Sequence, residues 1–128
     1  MSDLNSIGGR IKYYRLVHGF SQEKISTKAT IDVCTLKRYE NNQVIHSLDI
    51  CNKIATVLNI DPFLIYDDYL SFIACDYGNK IKIARNKMKL TQKDLGDLLS
   101  VHRKTVTRWE KEITFPLREH FKKFKKYL

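Results

Sequence analysis

An internal repeat is the feature that most constrains how this chain of 128 residues can fold. When the sequence is shifted by 70 residues against itself, residues 7–42 align with residues 77–112 without a gap. Eight aligned positions are identical: Gly8/Gly78, Ile11/Ile81, Lys12/Lys82, Arg15/Arg85, Gln22/Gln92, Thr35/Thr105, Arg38/Arg108 and Glu40/Glu110. Because conservative pairs such as Ser21/Thr91 fill positions between them, the repeat indicates a duplicated structural unit.

Both copies carry the pattern of several short helices. In the second copy, the spacing of Ile81 and Ala84 predicts a first helix near residues 78–88. Thr91 is a good N-cap for a second helix of about eight residues, and a third follows a break at residues 100–102. The first copy repeats this order, so the sequence predicts an all-α fold.

The third helix of each copy has an apolar side and an outward side. On a helical wheel at about 100° per residue, Val106 and Trp109 lie opposite the outward positions of the second copy. Those positions include Arg103, Lys104 and Thr107, and their counterparts in the first copy are Val33, Cys34 and Lys37. The apolar side therefore repeats, whereas the outward side differs.

The net charge of +9 is unevenly distributed along the chain. Residues 1–60 contain 8 Lys/Arg against 5 Asp/Glu, and residues 77–128 contain 15 against 5. Residues 61–76, which lie between them, contain four acidic residues and no basic one. Clustered cations favour a polyanionic partner because they release counterions from phosphates, although solubility alone is the alternative reading.

Residues 22–40, QEKISTKATIDVCTLKRYE, and residues 92–110, QKDLGDLLSVHRKTVTRWE, resemble the core of lambda-repressor-like (Xre/Cro) helix-turn-helix proteins. The resemblance implies two tandem domains joined by a helical connector. We expect the first domain at residues 1–66 with four to five helices. An acidic and apolar connector at residues 67–76 and a second domain of about four helices at residues 77–128 follow.

In that family the second motif helix enters the DNA major groove, where its N-terminal residues meet base edges. By position, the resemblance assigns base reading to Arg103, Lys104, Thr107, Val33, Cys34 and Lys37. Arginine can donate two hydrogen bonds to guanine, whereas valine can only pack against a thymine methyl. We therefore expect the second copy to supply more of the sequence specificity.

The resemblance also assigns two further groups of residues. The residues expected to contact DNA phosphates are Gln22, Gln92, Arg38, Arg108 and Lys111. The residues expected to form structural ion pairs are Arg15 with Glu40, and Arg85 with Glu110. One departure from the family concerns the turn between the motif helices, where Thr30 and Ser100 replace the usual glycine. Because a left-handed β-branched residue is unfavourable, we expect the turn of the first copy, at Thr30, to be slightly strained or rebuilt.

Several classes of function have no support in the sequence. Cys34, Cys51 and Cys75 are too far apart for a zinc site, so we expect reduced thiols, no metal and no cofactor. The four histidines are scattered without a nucleophile, which argues against an enzyme. The absence of an N-terminal signal pattern and of an apolar run long enough to span a membrane favours a cytoplasmic location.

The sequence thus predicts a sequence-specific regulator of transcription that binds double-stranded DNA, in the first place a repressor. Two alternatives remain open: an activator, and a protein-interaction module such as an antitoxin or anti-regulator. A protein or peptide regulator and a homodimer through residues 62–76 are further candidate partners. Asp61 and Pro62 predict a helix beginning there. The apolar connector would join the domains, form a subunit interface or simply close the first core.

Overall fold

The structure, a computed structural model, describes residues 4–128. Over this range the chain forms nine α-helices and two short 3-10 turns, with no strand, which confirms the all-α fold. The chain divides into two compact units between Ser71 and Phe72. This division falls within residues 67–76, where a connector was expected. Residues 1–3 of the expected first domain lie outside the described range.

The helices follow one another in the same order in both units. The first unit contains α1 (Ile7–Val17), α2 (Gln22–Ala29), α3 (Val33–Glu40), α4 (Leu48–Leu58) and a 3-10 turn (Pro62–Leu64). Helix α5 (Asp68–Ala74) contains the division between the units. The second unit contains α6 (Tyr77–Lys87), α7 (Gln92–Leu99), α8 (Arg103–Glu110), α9 (Arg118–Phe124) and a 3-10 turn (Lys125–Tyr127). The motif helices therefore begin at the residues that the caps predicted.

Side-chain caps fix the starts of the motif helices. The Ser21 hydroxyl accepts a hydrogen bond from the Lys24 amide at 3.1 Å. Thr91 accepts from the Asp94 amide at 3.1 Å, and the Asp94 carboxylate accepts from the Thr91 amide at 3.0 Å, which completes a capping box. The Thr91 amide and hydroxyl hold the pKa of Asp94 below its ordinary value because they stabilise the carboxylate.

Equivalent positions of the two copies form the two cores. The buried pairs are Ile11/Ile81, Ile25/Leu95, Ala29/Leu99, Leu36/Val106 and Tyr39/Trp109. Helix α4 completes the first core with Ile54 and Leu58, and α9 completes the second with Phe121 and Phe124. Burial of one large apolar side chain contributes about 1.5–3 kcal/mol. Because each unit buries several such side chains, each has a hydrophobic core of its own.

The identical glycines Gly8 and Gly78 allow the first helix of each unit to approach the end of its third helix. A Cβ on Gly8 would lie 2.4 Å from the Tyr39 carbonyl oxygen, and one on Gly78 would lie 2.5 Å from that of Glu110. No real Cβ tolerates such a distance to a backbone atom. Glycine is therefore required at this position in both copies.

Left-handed backbone conformations recur at matching positions of the repeat. The pairs with positive φ are Gly19/Lys89, Thr30/Ser100 and Asn42/Glu112, with φ between 57° and 70°. Thr30 and Ser100 end α2 and α7, and both retain the left-handed turn that the family normally builds with glycine. The turn is thus kept and not rebuilt, at an expected cost of about 1–2 kcal/mol for a residue with a Cβ.

The helix expected from Asp61 and Pro62 does begin there, with Asp61 accepting from the Phe63 amide at 3.0 Å. It is only a 3-10 turn, however, and the chain breaks before α5. Arg10 donates hydrogen bonds to the carbonyl oxygens of Ile65 at 3.0 Å and Tyr66 at 3.2 Å. Those oxygens would accept from the backbone in a continuous helix. The Asp67 carboxylate then caps a new helix by accepting from the Leu70 amide at 2.9 Å.

Each end of the connector contributes to the core of its own unit. In the first unit, Ile65 is fully buried and its carbonyl is held by Arg10. In the second unit, the Phe72 ring packs against those of Phe121 and Phe124, with centroid distances of 5.1 and 5.9 Å. Ile65 thus contributes to the first core, one of the roles left open by the sequence, whereas Phe72 belongs to the core of the second unit.

Candidate nucleic-acid interface

Helix α8 is amphipathic, with its apolar side in the core and its cations in solvent. Val106 and Trp109 are buried, whereas Arg103, Lys104 and Arg108 are exposed. The His102 imidazole Nδ1 begins the helix by accepting a hydrogen bond from the Lys104 amide at 3.1 Å. The cationic side is therefore displayed on a helix that is anchored by its core residues and its cap.

The corresponding side of α3 carries less charge. Cys34 and Lys37 are exposed, and Val33 is partly buried. Asp32 caps this helix by accepting from the Cys34 amide at 3.2 Å. At the two N-terminal positions where α8 presents Arg103 and Lys104, α3 therefore presents a valine and a cysteine.

A buried ion pair ties the first helix to the third helix in each unit. In the first unit, Arg15 donates to both carboxylate oxygens of Glu40, at 2.6 and 2.9 Å. In the second unit, Arg85 donates to those of Glu110 at 2.8 and 3.2 Å. The arginines also donate to the Phe20 and Leu90 carbonyls, each at 3.0 Å. The structure thus contains both ion pairs that the family resemblance assigned as structural.

The two glutamines assigned to DNA phosphates take part in these ion-pair networks. The Gln22 amide nitrogen donates to Glu40 at 3.2 Å, and that of Gln92 donates to Glu110 at 3.3 Å. Both side chains are partly buried. The other three residues assigned to phosphates, Arg38, Arg108 and Lys111, are exposed. Of the five residues assigned to phosphates, the two glutamines therefore form hydrogen bonds within the protein, and the three cations lie on the surface.

Thr107 is also engaged inside the second unit, although the wheel placed it among the outward residues. Its hydroxyl lies 2.7 Å from the Gln92 amide oxygen and 3.1 Å from the Arg103 carbonyl oxygen. Lys37, its counterpart in the first unit, is exposed. The two aligned positions therefore differ in burial as well as in chemistry.

Two structural residues near the interface were not singled out from the sequence. Asn42 follows α3 and accepts from the Gly8 amide at 2.9 Å, and Glu112 follows α8 and accepts from the Gly78 amide at 3.2 Å. Both have positive φ, which turns their side chains toward the start of the first helix. The alignment of the two copies pairs Asn42 with Glu112, which could have indicated a shared role. Because the two residue types differ, the pair did not stand out in the sequence.

Metal clusters and membrane-spanning helices are absent from residues 4–128. Over residues 4–128, no group of three or more His, Cys, Asp or Glu side chains could hold a metal ion. Within the same range, no helix is long and apolar enough to cross a membrane. None of the three cysteines forms a disulfide.

Comparison with known proteins identifies the repeated unit. The family model described as helix-turn-helix matches the chain twice, at residues 11–65 and 81–127. Neither the curated proteins nor the solved structures provide a significant match. The two matched segments contain the motif helices α2 with α3 and α7 with α8. The chain therefore belongs to the lambda-repressor-like helix-turn-helix family of DNA-binding regulators and contains two tandem copies of its domain.

Proposed function

We propose that the protein is a sequence-specific regulator of transcription that binds double-stranded DNA and acts as a repressor by occupying an operator. The observation that carries this proposal is the exposed cationic side of α8, formed by Arg103, Lys104 and Arg108. A helix of this kind fits the major groove, where its N-terminal residues reach base edges. Arg103, the first residue of α8, is the residue best placed to donate two hydrogen bonds to guanine.

The two copies contribute unequally in this proposal. Helix α8 offers two cations at its start, and Lys111 and Arg108 add charge near its end. Helix α3 offers Lys37 and Arg38, but neither of its first two residues is charged. We therefore assign most of the base discrimination to the second unit and a weaker contribution to the first.

Selection from random duplex DNA at fixed salt tests sequence specificity. We expect the wild type to enrich a defined site and Arg103→Ala to lose the preference at one base pair. That loss corresponds to about 1–3 kcal/mol, or roughly 5- to 150-fold in affinity. Lys37→Ala should have a smaller effect. Lys53→Ala, which removes an exposed lysine on α4, is the matched control and should enrich the wild-type site. Failure of the wild type to enrich any sequence would refute this proposal.

Salt dependence tests the contribution of phosphate contacts. If 6–10 phosphates are neutralised, affinity should fall by about 10³–10⁵ between roughly 50 and 200 mM salt. Lys111→Ala should reduce the slope of log affinity against log salt by about one, without changing the selected sequence. Affinity that stays constant over this range would contradict phosphate binding.

The sign of regulation is tested with a reporter promoter that contains the selected site. A repressor lowers transcription when the site overlaps the polymerase-binding region, because the bound protein occupies the same DNA. An increase would instead favour an activator, the first of the two alternatives. The comparison uses Arg103→Ala at the same protein level, so that the effect is tied to DNA binding.

The first unit also supports a second candidate function. Its α3 presents Val33 and Cys34 at the positions that carry Arg103 and Lys104 in α8. An uncharged helix start of this kind fits a protein partner better than a polyanion, as in an antitoxin or anti-regulator. Loss of all base preference in Arg103→Ala, together with an unchanged preference in Lys37→Ala, would assign DNA binding to the second unit alone.

Residues 62–76 are proposed to form a homodimer contact. Phe63 and Leu64 lie on the 3-10 turn and are 49% and 45% exposed, so their apolar surface is available. Sedimentation equilibrium of the wild type should show a dimer that Phe63→Ser weakens. A monomer at all accessible concentrations would exclude this contact.

A further inference from the structure

The hydroxyl of Thr107 has already used its proton inside the second unit. It lies 2.7 Å from the Gln92 amide oxygen and 3.1 Å from the Arg103 carbonyl oxygen. A threonine hydroxyl has one proton to donate, and both of these neighbours can only accept. Whichever oxygen receives the proton, none remains for a group outside the protein.

The orientation of the Gln92 amide follows from the buried ion pair. Arg85 donates to both oxygens of Glu110, at 2.8 and 3.2 Å, so both carboxylate oxygens act as acceptors. An ionised carboxylate only accepts hydrogen bonds, so the Gln92 amide group facing it at 3.3 Å must be the NH₂. The Gln92 carbonyl oxygen therefore faces Thr107. The direction of every hydrogen bond in the series is thus set by Arg85.

We infer that Thr107 acts in DNA recognition solely as a hydrogen-bond acceptor and reads an amino group, adenine N6 or cytosine N4, in the major groove. Gln92 is the positioning residue, because its amide oxygen is the nearer of the two acceptors of the Thr107 proton, at 2.7 Å against 3.1 Å for the Arg103 carbonyl oxygen. Threonine is otherwise one of the least selective base readers, because its hydroxyl can donate or accept. This inference rests on the proposed function, and it adds a specificity that the family resemblance did not supply.

The first unit provides the matched comparison within the same chain. Gln22 donates to Glu40 at 3.2 Å, as Gln92 does to Glu110. The residue at the position of Thr107 is Lys37, whose ammonium group can only donate. No hydrogen bond joins Gln22 to Lys37 in the part of the chain that the structure describes. A change at Gln22 should therefore affect its ion-pair network but not the polarity of a reading residue.

Removal of single groups from the DNA tests the inference directly. Selection with wild type and Thr107→Val first identifies the base pair whose preference depends on the hydroxyl. At that pair, one duplex then carries an analogue without the amino group: purine for adenine, or pyrimidin-2-one for cytosine. A second duplex carries an analogue without the opposing carbonyl: 5-methylpyrimidin-2-one for thymine, or 2-aminopurine for guanine. Base preference alone does not suffice, because every base pair has an amino group on one strand or the other.

Loss of the amino group should weaken wild-type binding about 3- to 10-fold more than it weakens Thr107→Val binding, as expected for one hydrogen bond. Thr107→Ser, which keeps the hydroxyl, should behave as the wild type. Gln92→Met should reduce the dependence on the amino group, because the hydroxyl then keeps only the longer contact to the Arg103 carbonyl oxygen, at 3.1 Å, and can exchange it for a donor contact to DNA. Gln22→Met should leave that dependence unchanged. Thermal melting of each variant verifies that it is folded.

Two results would overturn the inference while leaving the proposed function intact. One is that the energetic effect of Thr107→Val depends on the carbonyl and not on the amino group. The other is that the wild type selects a defined site but Thr107→Val alters no position of it. By contrast, a wild type that selects no site refutes the proposed function itself, and the inference with it.

Discussion

Replacement of Glu110 by glutamine would leave the Arg85 guanidinium without an anionic partner in a site where the two side chains are only 13% and 7% exposed. The new amide would also turn an NH₂ group toward either Arg85 or Gln92, both of which are donors in the present network. Removal of one member of a buried ion pair costs about 3–5 kcal/mol, because the remaining charge stays desolvated. We expect about 3 kcal/mol, at the lower end, since Arg85 keeps its bond to the Leu90 carbonyl.

The corresponding ion pair of the first unit is more deeply buried than that of the second. Arg15 and Glu40 are 10% and 2% exposed, and their two bonds are shorter, at 2.6 and 2.9 Å. Glu40→Gln should therefore destabilise the first unit by about 4 kcal/mol, which is more than the effect of Glu110→Gln on the second unit. With a urea dependence of about 1–2 kcal/mol per molar, Glu110→Gln lowers the unfolding midpoint by roughly 1.5–3 M.

Urea unfolding followed by two probes measures these changes. Trp109 is the single tryptophan of the chain and is buried in the second unit, so its fluorescence reports on that unit. Far-ultraviolet circular dichroism reports on all helices. Glu119→Gln is the matched control, because this carboxylate is 73% exposed and its loss should change stability by less than about 0.5 kcal/mol. A Glu110→Gln midpoint indistinguishable from that of Glu119→Gln would refute the reasoning.

Three further predictions concern the backbone and the caps. Gly8→Ala should destabilise the first unit by at least about 2 kcal/mol in urea unfolding, because the alanine Cβ would lie 2.4 Å from the Tyr39 carbonyl oxygen. An unchanged unfolding midpoint would instead show that α1 can shift freely. Thr30→Gly should raise stability by about 1 kcal/mol by relieving a left-handed threonine, and Ser100→Gly should gain less because serine is not β-branched; a loss in both variants would contradict the assigned strain. The pKa of Asp94 is lowered in the folded state, so its contribution to stability is present above its ordinary value of 3.8 and is lost as pH falls below that value. Melting temperatures between about pH 2 and 5 should therefore fall less steeply for Asp94→Asn than for the wild type, and equal slopes would count against the capping box.

The motif helices could be predicted from the sequence because their determinants are local. The N-caps Ser21 and Thr91 lie next to the helices that they begin, and the apolar spacing within each copy fixed which side is buried. The repeat then supplied each element twice. By contrast, the break before α5 depends on Arg10, which is 55 residues away from the Ile65 carbonyl that it binds. No local pattern records such a contact.

The candidate site was predictable in its exposed residues and less so in its internal ones. Arg103 and Lys104 lie in solvent, as their places on the wheel implied. The wheel placed Thr107 among them because it describes one helix alone and contains no information about α7. The Gln92 side chain that accepts from Thr107 comes from that neighbouring helix. Its position could be obtained only from the packed structure.

The matching left-handed residues have a consequence for how the two copies diverged. At these turns the alignment of the two copies pairs glycine with lysine, threonine with serine and asparagine with glutamate. The φ angle nevertheless stays within 57–70°. Mutation has thus replaced residue types at these turns while the course of the main chain was preserved. Helix α3 should consequently accept the three outward residues of α8 as a graft at positions 33, 34 and 37. The two units thus share one backbone pattern at these turns, and the third helix of each unit carries a different set of outward side chains.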